Sequence, residues 1–350
     1  MADSDAFEGP APDVAGPGAK PSGSARRWPW RLVGLLILGW MVHRTRVFDT
    51  LSWERIELPW LVLAVVLNAA NLLPKIARWR AFLGRLGHVY PWWAAARACV
   101  VSTALGLFTP GRVGDLLRLR YARDDVGLGY ASGFGAMVVD RACDVAVLGV
   151  IAGASGLRLL SRPQAELTLW WAALVVAGLG FSAVVISVVG RRDSTLRGWL
   201  DRRGVHPQRI ARTLEAIQGT ARGGTLAAGL VATTLAFAIF FLQGWCVSRA
   251  LGLDLAYADI AMMLSLASFL SLVPISIAGI GVREAFLSTV VPLVGGTAAD
   301  GVGLGLLLTF VVYVAIGVGG GLTALVFPGP GSRGPGPASS SGGAVGPRPS

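Results

Sequence analysis

Long apolar runs recur along this chain, and their length limits its possible folds more than any other feature. The runs lie at about 32–42, 58–74, 92–109, 130–153, 167–189, 225–251, 259–291 and 301–327. Several approach or exceed the roughly 18–20 residues that a helix needs to cross a bilayer core. Only 15% of the residues are charged, whereas a soluble domain has about 25%. The sequence therefore predicts an all-α, polytopic helical membrane protein with about six to eight apolar segments.

The two ends of the chain have a different composition from this apolar region. Residues 1–27 and 328–350 are rich in Pro, Gly, Ala and Ser. Such segments cannot bury a core, so we expect two disordered tails around a membrane domain at 28–327. Arginines at 26, 27 and 31 precede the first apolar run, and no small-residue cleavage site follows it. We therefore expect an uncleaved first helix rather than a signal peptide.

The net charge of +11 comes mainly from arginines between the apolar runs. In a soluble protein such a charge would indicate nucleic acid, but here loop orientation and anionic lipid headgroups explain it better. The most basic loops are 75–88 and 190–224. Short arginine-rich loops belong in the cytoplasm. We therefore expect a multi-pass protein of the plasma membrane, with no nucleic-acid partner and with both tails in the cytoplasm.

The positions of the two basic loops constrain the topology between them. If both loops are cytoplasmic, an even number of crossings must separate them, yet three apolar segments lie there. The segment 92–118 is the best candidate not to cross, because Pro110 and Gly111 break its helix. We predict that it enters the membrane and returns on the cytoplasmic side, with protein or water covering its backbone.

The segment 259–291 is broken in a similar way, by Pro274, Gly279 and Gly281. If it enters from the outer face, the two broken segments enter from opposite faces. Interrupted segments at matching places in two halves are typical of inverted-repeat transporters, where they mark the binding site. The flanking segments also match in order, so the sequence predicts two re-entrant segments in an inverted repeat.

The first group of candidate binding residues surrounds the break in the first half. Pro110, Gly111 and Gly114 would free backbone groups for a ligand, and the planar guanidinium of Arg112 suits phosphate. Asp115 could hold Arg112 or line the site itself. The alternative is a cytoplasmic turn with ordinary interfacial arginines.

The second candidate group lies inside an apolar segment. Asp140 and Asp144 share a helix face with Arg141 close to both. Charges within a spanning segment are costly and usually face a cavity or each other. A structural ion pair is an equally good interpretation, and the two are compatible if the pair aligns Arg112.

The third group is Arg283 and Glu284, directly after the break in the second half. A helix that begins near Gly281 would direct its positive end into the membrane and attract an anion. The alternative is a kinked helix with an interfacial ion pair. A fourth group, Asn71, Arg78 and Trp79, is better explained as an anchor at the headgroup interface.

Nothing in the sequence indicates a soluble catalytic domain. There is no nucleotide-binding glycine loop or nucleophile elbow. The three cysteines and three histidines are scattered without metal-ligand spacing. We therefore expect no metal and no cofactor, and an enzyme is the less favoured interpretation.

These motifs together resemble the lysylphosphatidylglycerol synthetase transmembrane-region family of flippase-like membrane proteins. The resemblance covers roughly residues 30–327. It is carried by Asn71, Arg78, Trp79, "TPGRVGDLLR" at 109–118, "DRACD" at 140–144 and "PISIAGIGVREA" at 274–285. At Asp140-Arg141 the family more often has Glu-Arg.

The resemblance implies a membrane domain like the one that moves aminoacylated phosphatidylglycerol between leaflets in the multiple peptide resistance factor. That factor also has a C-terminal synthetase domain, which we expect this chain to lack. The resemblance therefore does not imply that the chain makes lysylphosphatidylglycerol.

The expected function is translocation of an anionic or aminoacylated phospholipid, or of a lipid-linked carrier. One alternative is a lipid-linked glycosyl transfer enzyme that uses Asp115, Asp140 or Glu284. The other is a non-catalytic partner of a separate synthase or glycosyltransferase, bound through the loop 190–224. The sequence predicts no oligomeric state.

Overall fold

The structure, a computed structural model, describes residues 40, 43–44, 56–109, 114–160, 180, 207–270 and 281–326. All regular secondary structure in these ranges is helical. Helices suit a bilayer because they satisfy their backbone hydrogen bonds internally, where no water can do so. The predicted all-α fold is confirmed. The predicted tails at 1–27 and 328–350 and the first helix lie almost wholly outside the described residues, and the domain boundaries stay a prediction.

The helices follow one another with short connections, apart from the ranges that are not described. Their bounds are α1 Leu58–Arg85, α2 Trp92–Phe108, α3 Leu117–Val126, α4 Tyr130–Leu160, α5 Pro207–Thr220, α6 Gly223–Ala250, α7 Tyr257–Leu270, α8 Val282–Val290 and α9 Ala298–Val326, with a 3₁₀ turn at Val291–Val294 between the last two.

Three helices in the described part of the chain are long and apolar enough to cross a membrane. They are α1, α6 and residues Ala298–Thr323 of α9. The 28 residues of α1 and of α6 span roughly 42 Å at 1.5 Å per residue. This length exceeds the hydrocarbon core of about 30 Å, so both ends of each helix reach the headgroup region. The chain is therefore an integral membrane protein, as predicted.

Helices α1 and α6 run antiparallel along their whole length. The Glu57 N–H donates to the Ala250 carbonyl at one end, at 3.0 Å. Gln243 Nε2 donates to the Ala64 carbonyl at 2.8 Å, and Asn71 Nδ2 donates to the Ala236 carbonyl at 2.6 Å. Side-chain amides join membrane helices in this way because hydrocarbon offers them no other partner. The end of this pair where Glu57 meets Ala250 is called the Glu57 end. The opposite end, where α1 finishes at Arg85 and α6 begins at Gly223, is called the Arg85 end.

Helices α2 and α3 form a hairpin whose open side lies at the Arg85 end. Tyr90 Oη, just before α2, donates to Asp125 Oδ2 near the end of α3, at 2.9 Å. At the tip, the Gly114 N–H donates to Thr109 Oγ1 at 2.7 Å. The two helices thus pair as a hairpin, and its second arm continues to Val126, beyond the predicted 92–118. Entry into the membrane from one face stays a prediction, and Pro110 and Gly111 lie outside the described residues.

Helices α7 and α8 form the corresponding pair at the Glu57 end. Trp245 Nε1 near the end of α6 donates to the Leu255 carbonyl just before α7, at 3.1 Å. Leu255 packs in the same core as Val290 at the end of α8. The helix α8 begins after Gly281, as predicted, and the φ of +87° at Gly281 is one that glycine adopts easily. Pro274 and Gly279 lie outside the described residues.

The two halves of the described chain correspond in order and packing. Helices α1 and α6 begin at residues 58 and 223, α2 and α7 at 92 and 257, and α3 and α8 at 117 and 282. Each pair is separated by the same distance along the chain. In addition, α2 packs on α9 while α7 packs on α4. This exchange, with hairpins open at opposite ends, is the packing expected of an inverted repeat, although the repeat itself stays a prediction.

Helices α8 and α9 approach each other at two glycines four residues apart. A Cβ atom at residue 301 would overlap the Leu287 carbonyl oxygen, and one at residue 305 would lie 2.8 Å from Glu284 Cγ. Small residues allow such close backbone approach in membrane helix pairs. The glycines therefore bring α9 next to Glu284.

We predict that Gly301→Ala destabilises the protein by about 1–3 kcal/mol, because the added methyl group overpacks against a backbone carbonyl. Gly319→Ala is the matched control, since a Cβ atom there has nothing within 4 Å. The control is expected to be neutral or stabilising by up to about 1 kcal/mol, since Ala favours a helix over Gly. Thermal unfolding of both variants in detergent tests this, and equal midpoints would contradict it.

Candidate functional site

The most buried charged group in the first half is Asp140, which is fully buried on α4. Three arginines surround its carboxylate. Arg78 Nε from α1 lies 2.7 Å from Oδ1, and Arg118 Nη2 from α3 lies 2.9 Å from Oδ2. Arg141 Nη2 is also 2.9 Å from Oδ2. Asp140 thus connects three helices through one side chain.

Two further carboxylates complete the group. Asp144 Oδ1 accepts from Arg78 Nη1 at 2.6 Å, and its Oδ2 lies 3.4 Å from Arg141 Nη2. Asp115 Oδ2 lies 3.8 Å from Arg141 Nη1. Arg78 Nη1 also donates to Thr233 Oγ1 on α6. The term ion network refers below to Arg78, Asp115, Arg118, Asp140, Arg141 and Asp144.

The ion network is balanced in charge and uneven in exposure. Its three arginines match its three aspartates, which is what a low-dielectric environment requires of buried ions. The side chains of Arg78 and Arg118 are 3% and 7% exposed, whereas that of Arg141 is 41% exposed. Asp144 is 26% exposed. The network therefore presents Arg141, with Asp144 beside it, to whatever lies outside the protein core.

Arg118 was not among the predicted site residues. Its Cζ lies 4.7 Å from the centre of the Trp79 ring, and its guanidinium pairs with Asp140. The correspondence between the two halves could have indicated Arg118 as a site residue. Arg118 is the second residue of α3, and the predicted site residue Arg283 is the second residue of α8.

The structure corrects the expectation for Arg78 and Trp79. We predicted an anchor at the headgroup interface, but Trp79 is fully buried and Arg78 is an integral part of the ion network. The physical reason is Asp140, which holds Arg78 inside the bundle. Asn71 lies two turns earlier on α1, where it bonds to the Ala236 carbonyl and accepts from Lys75 Nζ at 2.5 Å. Asn71 thus joins α1 to α6.

The tip of the first hairpin places Asp115 beside the network. Gly106 allows this, because a Cβ atom at residue 106 would lie 2.5 Å from Asp115 Oδ1. Gly114, a predicted helix breaker, packs directly against the backbone of Leu105 and Gly106. Arg112, the predicted phosphate ligand, lies outside the described residues with Pro110 and Gly111. Its predicted contact with Asp115 stays a prediction.

The second charged group joins α8 to α9. Glu284 is fully buried, and its Oε1 accepts from Arg283 Nη2 at 3.1 Å and from Thr309 Oγ1 at 3.0 Å. Arg283 Nη2 also donates to Thr309 Oγ1, and to the Gly305 carbonyl at 3.2 Å. The group is compact because Gly305 has no side chain to keep Glu284 away.

The start of α8 corrects the expectation that it attracts a ligand anion. Glu284 Oε2 accepts from the Gly281 N–H at 2.6 Å. A carboxylate at the third position of a helix commonly satisfies its first backbone donor in this way. The anion at this helix start is therefore the side chain of Glu284 itself.

The structure keeps the two charged groups apart. Among the described residues, no hydrogen bond or ion pair connects the ion network with Arg283 or Glu284. The network lies within three helical turns of the Arg85 end, because Arg78 is in the last third of α1. Arg283 and Glu284 belong to the hairpin that opens at the Glu57 end.

Comparison with known families gives one match. The family described as lysylphosphatidylglycerol synthase TM region matches residues 31–320. This range includes both hairpins and both charged groups, and it agrees with the extent of the resemblance found in the sequence. No curated protein matches the chain.

We predict that Asp140→Asn destabilises the protein by about 3–5 kcal/mol, because it leaves buried guanidinium groups without their shared counter-charge. The midpoint of thermal unfolding in detergent should fall by roughly 10 °C. Asp124→Asn is the control, since Asp124 lies 3.8 Å from a largely exposed Arg120. Such surface pairs contribute little, so its midpoint should stay close to that of the wild type. Similar losses in both variants would refute the central role of Asp140.

Proposed function

We propose that this chain, which belongs to the lysylphosphatidylglycerol synthase transmembrane-region family, moves a phospholipid or a lipid-linked headgroup between the two leaflets of the membrane. Family membership establishes an integral membrane protein linked to lipid metabolism. The step from there to translocation, and to an anionic or aminoacylated cargo, is the proposal. It is carried by one observation, the partly exposed Arg141 side chain on a largely buried ion network.

The depth of Arg141 makes its exposure significant. Arg141 is the twelfth residue of α4, which begins at Tyr130, so it lies roughly 16 Å along the helix. A cation at such a depth is costly unless it faces a polar cavity or a partner. Three carboxylates hold Arg141 in place, at 2.9, 3.4 and 3.8 Å. The cost of placing the charge there is therefore already offset, and the exposed part of the Arg141 side chain would meet a ligand.

The chemistry of this face suits a lipid headgroup. A guanidinium binds phosphate through parallel N–H donors. Asp144, which is partly exposed next to Arg141, would accept from an ammonium or hydroxyl group of the same headgroup. The acyl chains would stay in the bilayer, beside the apolar outer faces of the helices. Arg112 would add a second cation from the tip of the first hairpin.

The second charged group, Arg283 and Glu284, would contact the headgroup in the other half of its path across the membrane. Arg283 is partly exposed and is held by Glu284, Thr309 and the Gly305 carbonyl. Hairpins that open at opposite ends would let a headgroup pass from one charged group to the other. In this proposal the two hairpins are re-entrant segments of an inverted repeat, and movement between leaflets is passive or coupled to an ion.

The alternative of a lipid-linked glycosyl transfer enzyme is less well supported by the geometry. The carboxylates of Asp140 and Glu284 are both fully buried. Asp140 is ion-paired with Arg78 at Oδ1 and accepts from Arg118 and Arg141 at Oδ2, and Glu284 accepts from three donors. A general acid or base must reach the proton that it transfers.

The alternative of a partner for a separate synthase or glycosyltransferase rests on the loop 190–224, of which only 207–224 is described.

Reconstitution into vesicles tests the proposal. Fluorescent phosphatidylglycerol and its lysylated form are placed in both leaflets, and reduction of the outer label measures exchange. We expect the wild type to exceed empty vesicles and Arg141→Gln to lower the rate at least tenfold, because the charge that meets phosphate is lost. Arg249→Gln is the control, since Arg249 pairs with the exposed Asp254 at the Glu57 end.

Two results would contradict the proposal. Wild-type vesicles could show no exchange of either lipid above background, or Arg141→Gln could exchange lipid as fast as the wild type. Unfolding midpoints measured on the same samples would separate loss of function from loss of fold.

A further inference from the structure

The two ends of the bundle carry opposite charge. The arginines Arg80, Arg85, Arg97, Arg120, Arg123, Arg212 and Arg222 belong to the Arg85 end, against Asp124, Asp125 and Glu215. The Glu57 end has Glu57, Asp254, Asp259 and Asp300, against Arg249. These sets cover only the described residues. The contrast separates two surfaces about 42 Å apart, by the length of α1.

Packing brings the basic residues of distant loops to the same end. Thr213 Oγ1 on α5 donates to the Ala131 carbonyl at the start of α4, at 3.2 Å. A Cβ atom at Gly135 would lie 2.6 Å from the Thr213 carbonyl oxygen, so α5 packs closely on the first turns of α4. Arg212 and Arg222 therefore join Arg85 at one end, although more than 120 residues separate them along the chain.

Five of these arginines have exposed positions: Arg85, Arg120, Arg123, Arg212 and Arg222. They come from α1, α3, α5 and the start of α6. We call them the Arg85-end surface. Their number and their spread over four elements distinguish this surface from a single interfacial loop.

Aromatic rings place this surface at the depth of lipid headgroups. The Cζ of Arg123 lies 4.5 Å from the Tyr130 ring centre, and that of Arg80 lies 5.1 Å from the Trp92 ring centre. Trp93 is 84% exposed, and Val89, four residues earlier, is 85% exposed. Tryptophan and tyrosine prefer the membrane–water interface, and exposed apolar side chains beside these arginines would insert there.

We propose that the Arg85-end surface binds the headgroups of anionic phospholipids in the leaflet that it faces. This binding is separate from the cargo site, because none of the five arginines belongs to the ion network. Each arginine near an anionic surface strengthens binding by roughly fivefold. The Glu57 end, with its excess of carboxylates, repels the same lipids, so the protein distinguishes the two leaflets by their charge.

Native mass spectrometry of the full chain in detergent tests this surface. The protein is mixed with equal amounts of phosphatidylglycerol and phosphatidylcholine, and the ratio of the two retained lipids is measured. The wild type is expected to retain phosphatidylglycerol at least tenfold over phosphatidylcholine. Replacing the five arginines with glutamine should reduce this preference severalfold and leave only the lipid held at the cargo site, and raising the salt concentration should reduce it as well.

Three further variants make the result specific. Replacement of the five arginines with lysine should keep the preference, because the charge remains. Arg249→Gln, at the opposite end, should keep it too. Arg141→Gln should lose only the phosphatidylglycerol held at the cargo site and keep most of the preference, so failure of the proposed translocation and failure of this surface are distinguishable.

Each contrary result overturns the inference. If the five-glutamine variant retains the wild-type preference, these arginines do not bind the lipid. If the five-lysine variant loses it, charge is not the cause. If Arg141→Gln alone abolishes it, the lipid binds at the ion network instead.

Discussion

The ionised carboxylate of Asp140 is the constraint on which the first half of this protein depends. A carboxylate that is fully buried beside membrane helices is strongly disfavoured unless cations surround it. Those cations come from α1, α3 and α4, and one of them also bonds to Thr233 of α6. The need to neutralise a single charge thus sets the relative positions of four helices. Trp79 and the apolar residues around it then fill the space that this arrangement leaves.

The second half also contains a buried carboxylate, Glu284, but it is stabilised by different groups. Glu284 has one arginine instead of three, and it relies on a backbone N–H and on the Thr309 hydroxyl. These short contacts require α9 to lie against α8, which the glycines at 301 and 305 permit. The two halves correspond in helix order, yet only the first has a balanced network that leaves a guanidinium exposed. Their roles in moving a lipid would therefore differ, with the stronger headgroup contact in the first half.

The same structure makes the two ends of the bundle chemically different. They differ in charge because the basic connections that the structure describes pack at the Arg85 end, while the acidic residues around α6, α7 and α9 lie at the other end. The two hairpins, which open at opposite ends, thus lie between unlike surfaces. A headgroup that moves along such a path would meet cations at one end and carboxylates at the other, so entry and release need not be equivalent.

The sequence by itself determined the class, the helices and the family. Apolar runs of this length are typical of membrane helices, and the breaks predicted at 110–114 and after residue 274 rest on proline and glycine, not on tertiary contacts. The order of the motifs indicated the family, and α8 begins where the sequence placed it, after Gly281. The second arm of the first hairpin, at Leu117–Val126, extends beyond the predicted 92–118.

Only the tertiary structure decided which charges meet. Arg78 and Asp144 are 66 residues apart and Arg118 and Asp140 are 22 apart, and no local pattern encodes such partners. Helical spacing placed Asp140 and Asp144 on one face, but it could not show that Arg78 turns inward to meet them. In the same way, the helix start at Gly281 indicated an anion, and only the fold identified that anion as Glu284. The physical reason is that periodicity reports which face of a helix is apolar, while the partners of a buried charge depend on how distant helices pack.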